Sequence, residues 1–325
     1  MKDSFGREID YMRISITDRC NLRCRYCMPE DIRLVPMKDV LTYEEITEIV
    51  RAAVPLGITK FRVTGGEPLV RRGAVNLIRE INSVPGVTRT ALTTNGILLG
   101  PQAKELANAG LKSVNVSLDT CDAEHFKKIT GADRLEDVKE GIRAALAQGL
   151  QVKINCVPQG GEFRDDWRGV LELARQLPVS VRFIEMMPVG YGRNFETISN
   201  ETLLGKLMQE FPQMAPDTES HGDGPAVYWK LPGFAGSVGM ISAIHGKFCD
   251  QCNRVRLTAQ GKLKLCLCYA DSVDLREILR NAPESVRQKK LQDAIREGIL
   301  RKPKEHHFEK AGGVTDTSPM AQIGG

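Results

Sequence analysis

The chain has 325 residues, 42% of them hydrophobic and 26% charged, with a net charge of +4. That length supports one large domain or a large domain with a smaller one, and so weak a charge excludes a protein built to coat nucleic acid. No stretch approaches the roughly 18 uninterrupted apolar residues of a membrane span, and residues 1–10 are polar with no apolar signal core, so a soluble cytoplasmic protein with no nucleic-acid or membrane partner is expected.

Six short segments, often rich in β-branched residues, read as strands: 11–17, 59–63, 89–93, 113–118, 151–157 and 179–185. Helical patterns separate them. Thr42-Tyr43-Glu44-Glu45 has the spacing of a capping box, with Ile46, Ile49, Val50 and Ala53 on one face of the helix that follows. Residues 135–150 repeat apolar side chains at helical spacing, and Gly149 stands near their end. Strands alternating with helices predict parallel β/α units. These close either as an incomplete barrel or as an open doubly wound sheet, and in both the ligand site lies beyond the carboxyl ends of the strands. The alternation decays after Pro188. Residues 189–236 are rich in Gly and Pro around one helical stretch at 201–211, a charged helical segment spans 275–300, and the tail at 311–325 is small and polar.

Nine cysteines without an export signal point to metal or catalysis rather than to disulfides. Cys121 and Cys156 stand alone and read as small buried hydrophobes. The other seven form two groups. Cys20, Cys24 and Cys27 are spaced C-x3-C-x2-C directly after the first strand. Thiolates are soft ligands for zinc, copper(I) or iron–sulfur clusters. Three of them leave one iron of a four-iron cubane open, whereas structural zinc wants four closed ligands.

Tyr26 lies between the second and third cysteines, and Thr64-Gly65-Gly66-Glu67-Pro68 follows the second strand. Together these features resemble the radical S-adenosylmethionine superfamily, whose signature is C-x3-C-x-aromatic-C with a GGEP-type motif. The resemblance implies a 4Fe-4S cluster on Cys20, Cys24 and Cys27 that cleaves S-adenosylmethionine to a 5′-deoxyadenosyl radical. It implies that Gly65 and Gly66 let backbone approach the methionyl group, with Glu67 near its ammonium.

Cys249-x2-Cys252-x13-Cys266 by itself suits a zinc site completed by Cys268. The run Asn253-Arg254-Val255-Arg256-Leu257 alters that reading. Arginines at period two share one strand face, and a structural site has no need of them beside a metal ligand, whereas a polyanion site does.

Over nearly its full length the chain is similar to the GTP 3′,8-cyclase family, radical lyases of molybdenum-cofactor biosynthesis. The likeness runs through Arg13-Ile-Ser-Ile-Thr-Asp-Arg-Cys20, Arg62-Val-Thr-Gly-Gly-Glu-Pro68, Leu92-Thr-Thr-Asn95, Val114-Asn-Val-Ser-Leu-Asp119, Arg182-Phe-Ile-Glu185, Cys252-Asn-Arg-Val-Arg256 and Gly324-Gly325. It implies an α/β fold: an incomplete (β/α)6 TIM-type barrel over 1–230, with a C-terminal cluster-bearing extension over 231–325 closing the open end. A second 4Fe-4S cluster would sit on Cys249, Cys252 and Cys266, with one iron open to guanine and Cys268 left spare.

The residues matching GTP contacts are Arg13, Arg62, Thr93, Lys153, Arg254, Val255 and Arg256. Those matching S-adenosylmethionine contacts are Tyr26, Gly66, Ser117 and Met187. No side chain serves as nucleophile or base. Basic residues seldom belong in buried strands without a partner, and Arg13, Arg62 and Lys153 in strands one, two and five fit an incoming triphosphate. The resemblance further implies an external electron donor, a homodimer, a flexible Gly-Gly tail able to reach the active site, and a downstream cyclic pyranopterin monophosphate synthase that accepts the product. His306 and His307 read as surface residues. The rival readings are a radical enzyme that modifies a peptide with the help of an auxiliary cluster, and a two-site zinc-binding module.

Overall fold

The computed structural model describes residues 1–28, 32–219, 221–310 and 312–324. Its first two-thirds alternate strands and helices: β1 (Tyr11–Ser15), α1 (Tyr43–Ala53), β2 (Lys60–Thr64), α2 (Ala74–Ser83), β3 (Arg89–Thr94), α3 (Leu99–Asn108), β4 (Ser113–Ser117), α4 (Ala123–Thr130), α5 (Leu135–Ala147), β5 (Gln151–Cys156), α6 (Trp167–Gln176) and β6 (Ser180–Ile184). There follow α7 (Asn200–Glu210), β7 (Ala215–Pro216), β8 (Val227–Lys230), β9 (Ser237–Ile241), β10 (Arg254–Leu257), β11 (Lys262–Lys264), β12 (Ser272–Asp274), α8 (Leu275–Asn281), α9 (Glu284–Leu300) and α10 (Met320–Ile323).

All six expected strands are present within two residues of their expected ends. One sheet runs β12-β11-β10-β1-β2-β3-β4-β5-β6-β9-β8-β7. Strands β1 to β6 are parallel and neighbour one another in chain order. A doubly wound sheet reverses that order at a switch point, so the incomplete barrel is the correct closure. β10 joins the free edge of β1 and β9 that of β6, both in parallel. The late strands therefore extend both edges of the barrel sheet, a pairing between distant segments that local patterning does not encode.

Alternation along each strand sorts the side chains. Met12 and Ile14, Phe61 and Val63, Leu92, Val114 and Val116, Val152 and Ile154, and Val181 and Phe183 pack beneath the helices in one continuous core. The other parity holds Tyr11 and Arg13, Lys60 and Arg62, Arg89 and Thr93, Asn115, Lys153 and Asn155, and Arg182. A filled barrel carries bulky branched residues at such inner positions; here they are polar and cationic, and the lumen is a site.

The segment expected as one helix over 275–300 is two. Pro283 has no N–H to continue α8 and instead sits at the N-terminal cap of α9. The described part of the tail is packed: Thr315 N–H donates to the Cys268 carbonyl, Lys264 pairs with Asp316 in a buried contact, and Ile323 is buried. The second glycine of the Gly324-Gly325 pair lies outside the described residues, as does Ala311. No helix among the described residues is long and apolar enough to cross a membrane.

The capping box at Thr42 forms as expected, with reciprocal bonds between Thr42 and Glu45. Arg280 of α8 also grips the Glu45 carboxylate. Thr42→Ala is expected to lower stability by about 1 kcal/mol, read as a shift in the urea midpoint with an unchanged slope.

Candidate active site

The chain leaves β1 at Ser15 and enters the cysteine loop. The loop is fastened from both sides: Arg23 and Arg25 donate their N–H groups to the Thr130 and Ile129 carbonyls at the end of α4, while Cys27 and Met28 N–H close back on the Cys24 carbonyl. Cys20, Cys24 and Cys27 line one cavity together with Tyr26, Gly66, Thr93, Ser117, Asp119, Met187, Arg13 and Arg256. Burial, with the proximity of the other thiols, raises Cys24 well above the ordinary thiol range and Cys27 to about 12. Such thiols stay protonated until a metal centre displaces the protons. Three soft thiols lining one cavity are a donor set that suits an iron–sulfur cluster.

Gly65 and Gly66 line the cavity, but their Cα–H faces are pressed against the chain. A Cβ on Gly66 would lie 2.5 Å from the Arg19 carbonyl oxygen, and one on Gly65 2.6 Å from that of Thr17. Glycine is required here so that the loop after β2 can seat the segment leading to Cys20. Glu67 is fully buried, accepting from Leu69 N–H, Asn95 N–H and the Thr94 hydroxyl, and burial moves its pKa to about 7. Its direct partners are thus protein groups that tie β2 to β3. Tyr26 donates to Asp119 at 2.6 Å, and burial raises Asp119 to about 6.

An adjoining cavity holds Cys249, Cys252 and Cys266 beside Arg7, Arg13, Arg254, Arg256, Lys302 and His306. Cys268 is absent from its lining; it is buried and donates to the Gly313 carbonyl. Burial acts to raise Cys252, but Lys302, Arg254 and Arg7 outweigh it and hold that thiol below its usual value. A second anionic thiolate cluster fits such cationic surroundings. His306 corrects its expected surface placement, being only 5% exposed and packed against Phe308 in the cavity wall.

Beneath the two cavities the lumen is a column of cations. Burial first, then Arg256 and Arg62, push Arg13 well below the arginine range. Burial and the neighbouring Arg254 bring Arg256 down to about 10, and burial with Arg62 does the same to Arg182. Arg62 is bonded to the Tyr11 hydroxyl and reaches Thr93 at 3.5 Å. Lys153 lies deeper, its ammonium on the His221 carbonyl; burial, then Arg182, Arg62 and Arg89, lower it to about 7. Val255 does not share this face. It is buried in the apolar core under the opposite parity, so its expected ligand role is confined to its backbone. Arg256 also donates to the Gly324 carbonyl at 2.7 Å, so the tail does reach the lumen, where Met320 and Ala321 wall the first cavity.

Sequence reasoning missed Lys60, Arg89, Asn155 and Arg182 as lumen residues. Their signal was present: each occupies the same inward parity as its assigned neighbours.

Residues 14–174 match the Radical SAM superfamily and residues 179–308 the family described as Molybdenum Cofactor Synthesis C. The chain is 45% identical over 331 residues to the GTP 3′,8-cyclase of Alkaliphilus oremlandii, and 44% over 330 residues to that of Moorella thermoacetica. It is 41% identical over 326 residues to that of Clostridium perfringens. In all three pairs both chains are covered completely. Among solved structures it superposes on Streptococcus suis SuiB bound to S-adenosylmethionine with a TM-score of 0.63. That match has 13% identity and covers 97% of this chain and 78% of the other, a likeness of fold.

A polyanion in the lumen favours the protonated form of Lys153. Where the free side chain is neutral, above pH about 7, binding must take up a proton, so affinity falls as pH rises. Tripolyphosphate binding is expected to weaken by up to about tenfold per pH unit above that point. Lys153→Gln should remove this component of the pH profile, measured by calorimetry in buffers of different ionisation enthalpy.

Proposed function

The chain belongs to the GTP 3′,8-cyclase family of radical S-adenosylmethionine enzymes, and from that premise we propose how its residues convert GTP to (8S)-3′,8-cyclo-7,8-dihydroguanosine 5′-triphosphate in molybdenum-cofactor biosynthesis. One observation carries the reading: Arg13, Ile184, Met187, Arg256 and Leu267 wall both cysteine-lined cavities, so the two triads face a shared space.

In this reading Cys20, Cys24 and Cys27 hold one 4Fe-4S cluster and Cys249, Cys252 and Cys266 a second. With S-adenosylmethionine bound, these groups supply the electron and the 5′-deoxyadenosyl radical that open the reaction. Tyr26, Gly66, Ser117 and Met187 contact S-adenosylmethionine, and Tyr26 is held in place by Asp119. Arg254 and Arg256 grip the nucleotide beside the second triad, Arg254 with its side chain over the Phe248 ring. Arg13, Arg62, Thr93, Arg182 and Lys153 receive the triphosphate, whose oxygens suit guanidinium forks.

These cations repel one another when the lumen is empty, so a polyanion lowers the energy of the site it enters. No side chain needs to act as nucleophile or base. The protein's contribution is to hold the ribose between the two triads and to keep water out with the packed tail. Residues 1–230 would serve radical generation and 231–325 nucleotide holding. A homodimer, an external electron donor and a downstream cyclic pyranopterin monophosphate synthase complete the proposal.

The test is anaerobic reconstitution with S-adenosylmethionine, dithionite and GTP. The expected result is 5′-deoxyadenosine together with the cyclised nucleotide, both dependent on GTP. Cleavage that ignores GTP and yields no nucleotide product would remove the substrate assignment. Arg254→Ala and Arg256→Ala should each keep the iron content and thiolate-to-iron absorbance of both clusters while cyclisation falls by at least about a hundredfold; normal turnover would sink their nucleotide-binding role.

A further inference from the structure

The amino ends of the strands are closed by a short loop from the C-terminal half. Asp223 in this loop lies 2.6 Å from the Lys60 ammonium and 3.4 Å from Arg89. Lys60 is held from the other side by Asp10 at 2.9 Å. Two residues earlier, the His221 carbonyl receives the Lys153 ammonium. Gly222 has a φ of +93°, and a Cβ there would lie 3.2 Å from Lys153 Nζ and 3.3 Å from Arg89 Nη1. A Cβ on Gly224 would come to 3.6 Å from Arg182 Nη1. The loop therefore presses glycine backbone and one carboxylate against the deep end of the cationic column.

His221 is itself anchored. His221 stacks on Tyr228 with ring centroids 4.0 Å apart and bonds to Asp217 at 2.8 Å. The Asp217 side chain is 1% exposed. The carboxylate of Asp223 thus stands on a built floor, not on a drifting surface strand.

Buried cations need counter-charge. In the upper lumen Arg13, Arg62, Arg182, Arg254 and Arg256 crowd one another. At the floor, Lys60 and Arg89 already have an anion. We propose that Asp223 is a specificity-determining residue: a resident carboxylate at the far end of the phosphate channel that competes with the terminal phosphate of the substrate for Lys60 and Arg89. It balances the floor when the lumen is empty and attenuates affinity according to how far down the channel a ligand's phosphates reach. This inference rests on the reading that the triphosphate points away from the cysteine triads into the cation column.

The experiment measures equilibrium binding of guanosine, GDP and GTP to anaerobic holoenzyme without reductant, for the wild type, Asp223→Asn and Asp223→Glu. In the wild type, affinity should rise with phosphate number. Asp223→Asn should tighten GTP by about tenfold, GDP by less, and guanosine not at all, because a charge acts most strongly on the phosphate nearest to it. Asp223→Glu, which keeps the charge, should reproduce the wild-type series. Matching iron content and thermal melting certify that each variant is folded.

Weaker or unchanged GTP binding in Asp223→Asn, or equal tightening of all three ligands, overturns the competitor role while leaving the channel in place. A wild-type series that is flat with phosphate number overturns both the channel and the competitor.

Discussion

Electrostatic self-repulsion inside the barrel is the constraint on which the rest depends. Arg13, Lys60, Arg62, Arg89, Lys153, Arg182, Arg254 and Arg256 belong to a single inward parity of the parallel strands of one sheet, β10 with β1 to β6. Placing so many cations where apolar side chains usually pack costs stability. The fold sustains it because the opposite parity supplies an unbroken core beneath the helices. Several local partners soften the repulsion, including the Tyr11 hydroxyl on Arg62, Asn155 on Arg182 and Asp223 on Lys60. Burial, together with the neighbouring cations, lowers the proton affinity of Arg13, Arg182, Arg256 and Lys153, so an anion entering the lumen would relieve the strain.

The same sheet organises the two cysteine triads. One follows β1, where the backbone emerges at the carboxyl end of the barrel; the other precedes β10, which pairs with that same β1. The register Arg13↔Arg256 sets the two arginines side by side between the triads. A single strand pairing thereby positions the two cysteine triads and the cations between them. The tail reinforces this geometry, since Gly324 reaches the Arg256 guanidinium from inside the lumen.

The six strands of the first half, the capping box at Thr42 and both cysteine triads were readable directly, because each is a local pattern of spacing or periodicity. Other features were not. The buried position of His306 depends on the wall built by residues 302–308 around the second cavity. The break at Pro283 was visible as a proline, yet the charged periodicity on either side concealed it. Gly65 and Gly66 were rightly singled out, but their steric reason lies in the Thr17 and Arg19 carbonyls, which sequence does not place. Val255 matched a ligand position by neighbourhood, while strand alternation turns its side chain to the core.

By itself the sequence determined the chemistry: two sets of soft ligands, the first with cluster spacing and the second read as a cluster through the family resemblance that names the reaction, and basic residues in strands that demand an anionic partner. Only the tertiary structure decided where that chemistry meets. It bore out the barrel that the resemblance implied and strand patterning left open, set β10 against β1, fastened the tail into the lumen and brought Asp223 to the floor beneath Lys60 and Arg89. The physical reason is that ligand identity and periodicity are properties of neighbours along the chain. The sharing of one lumen by residues 13, 62, 153, 223 and 256 is a product of long-range strand pairing, which no local window of sequence contains.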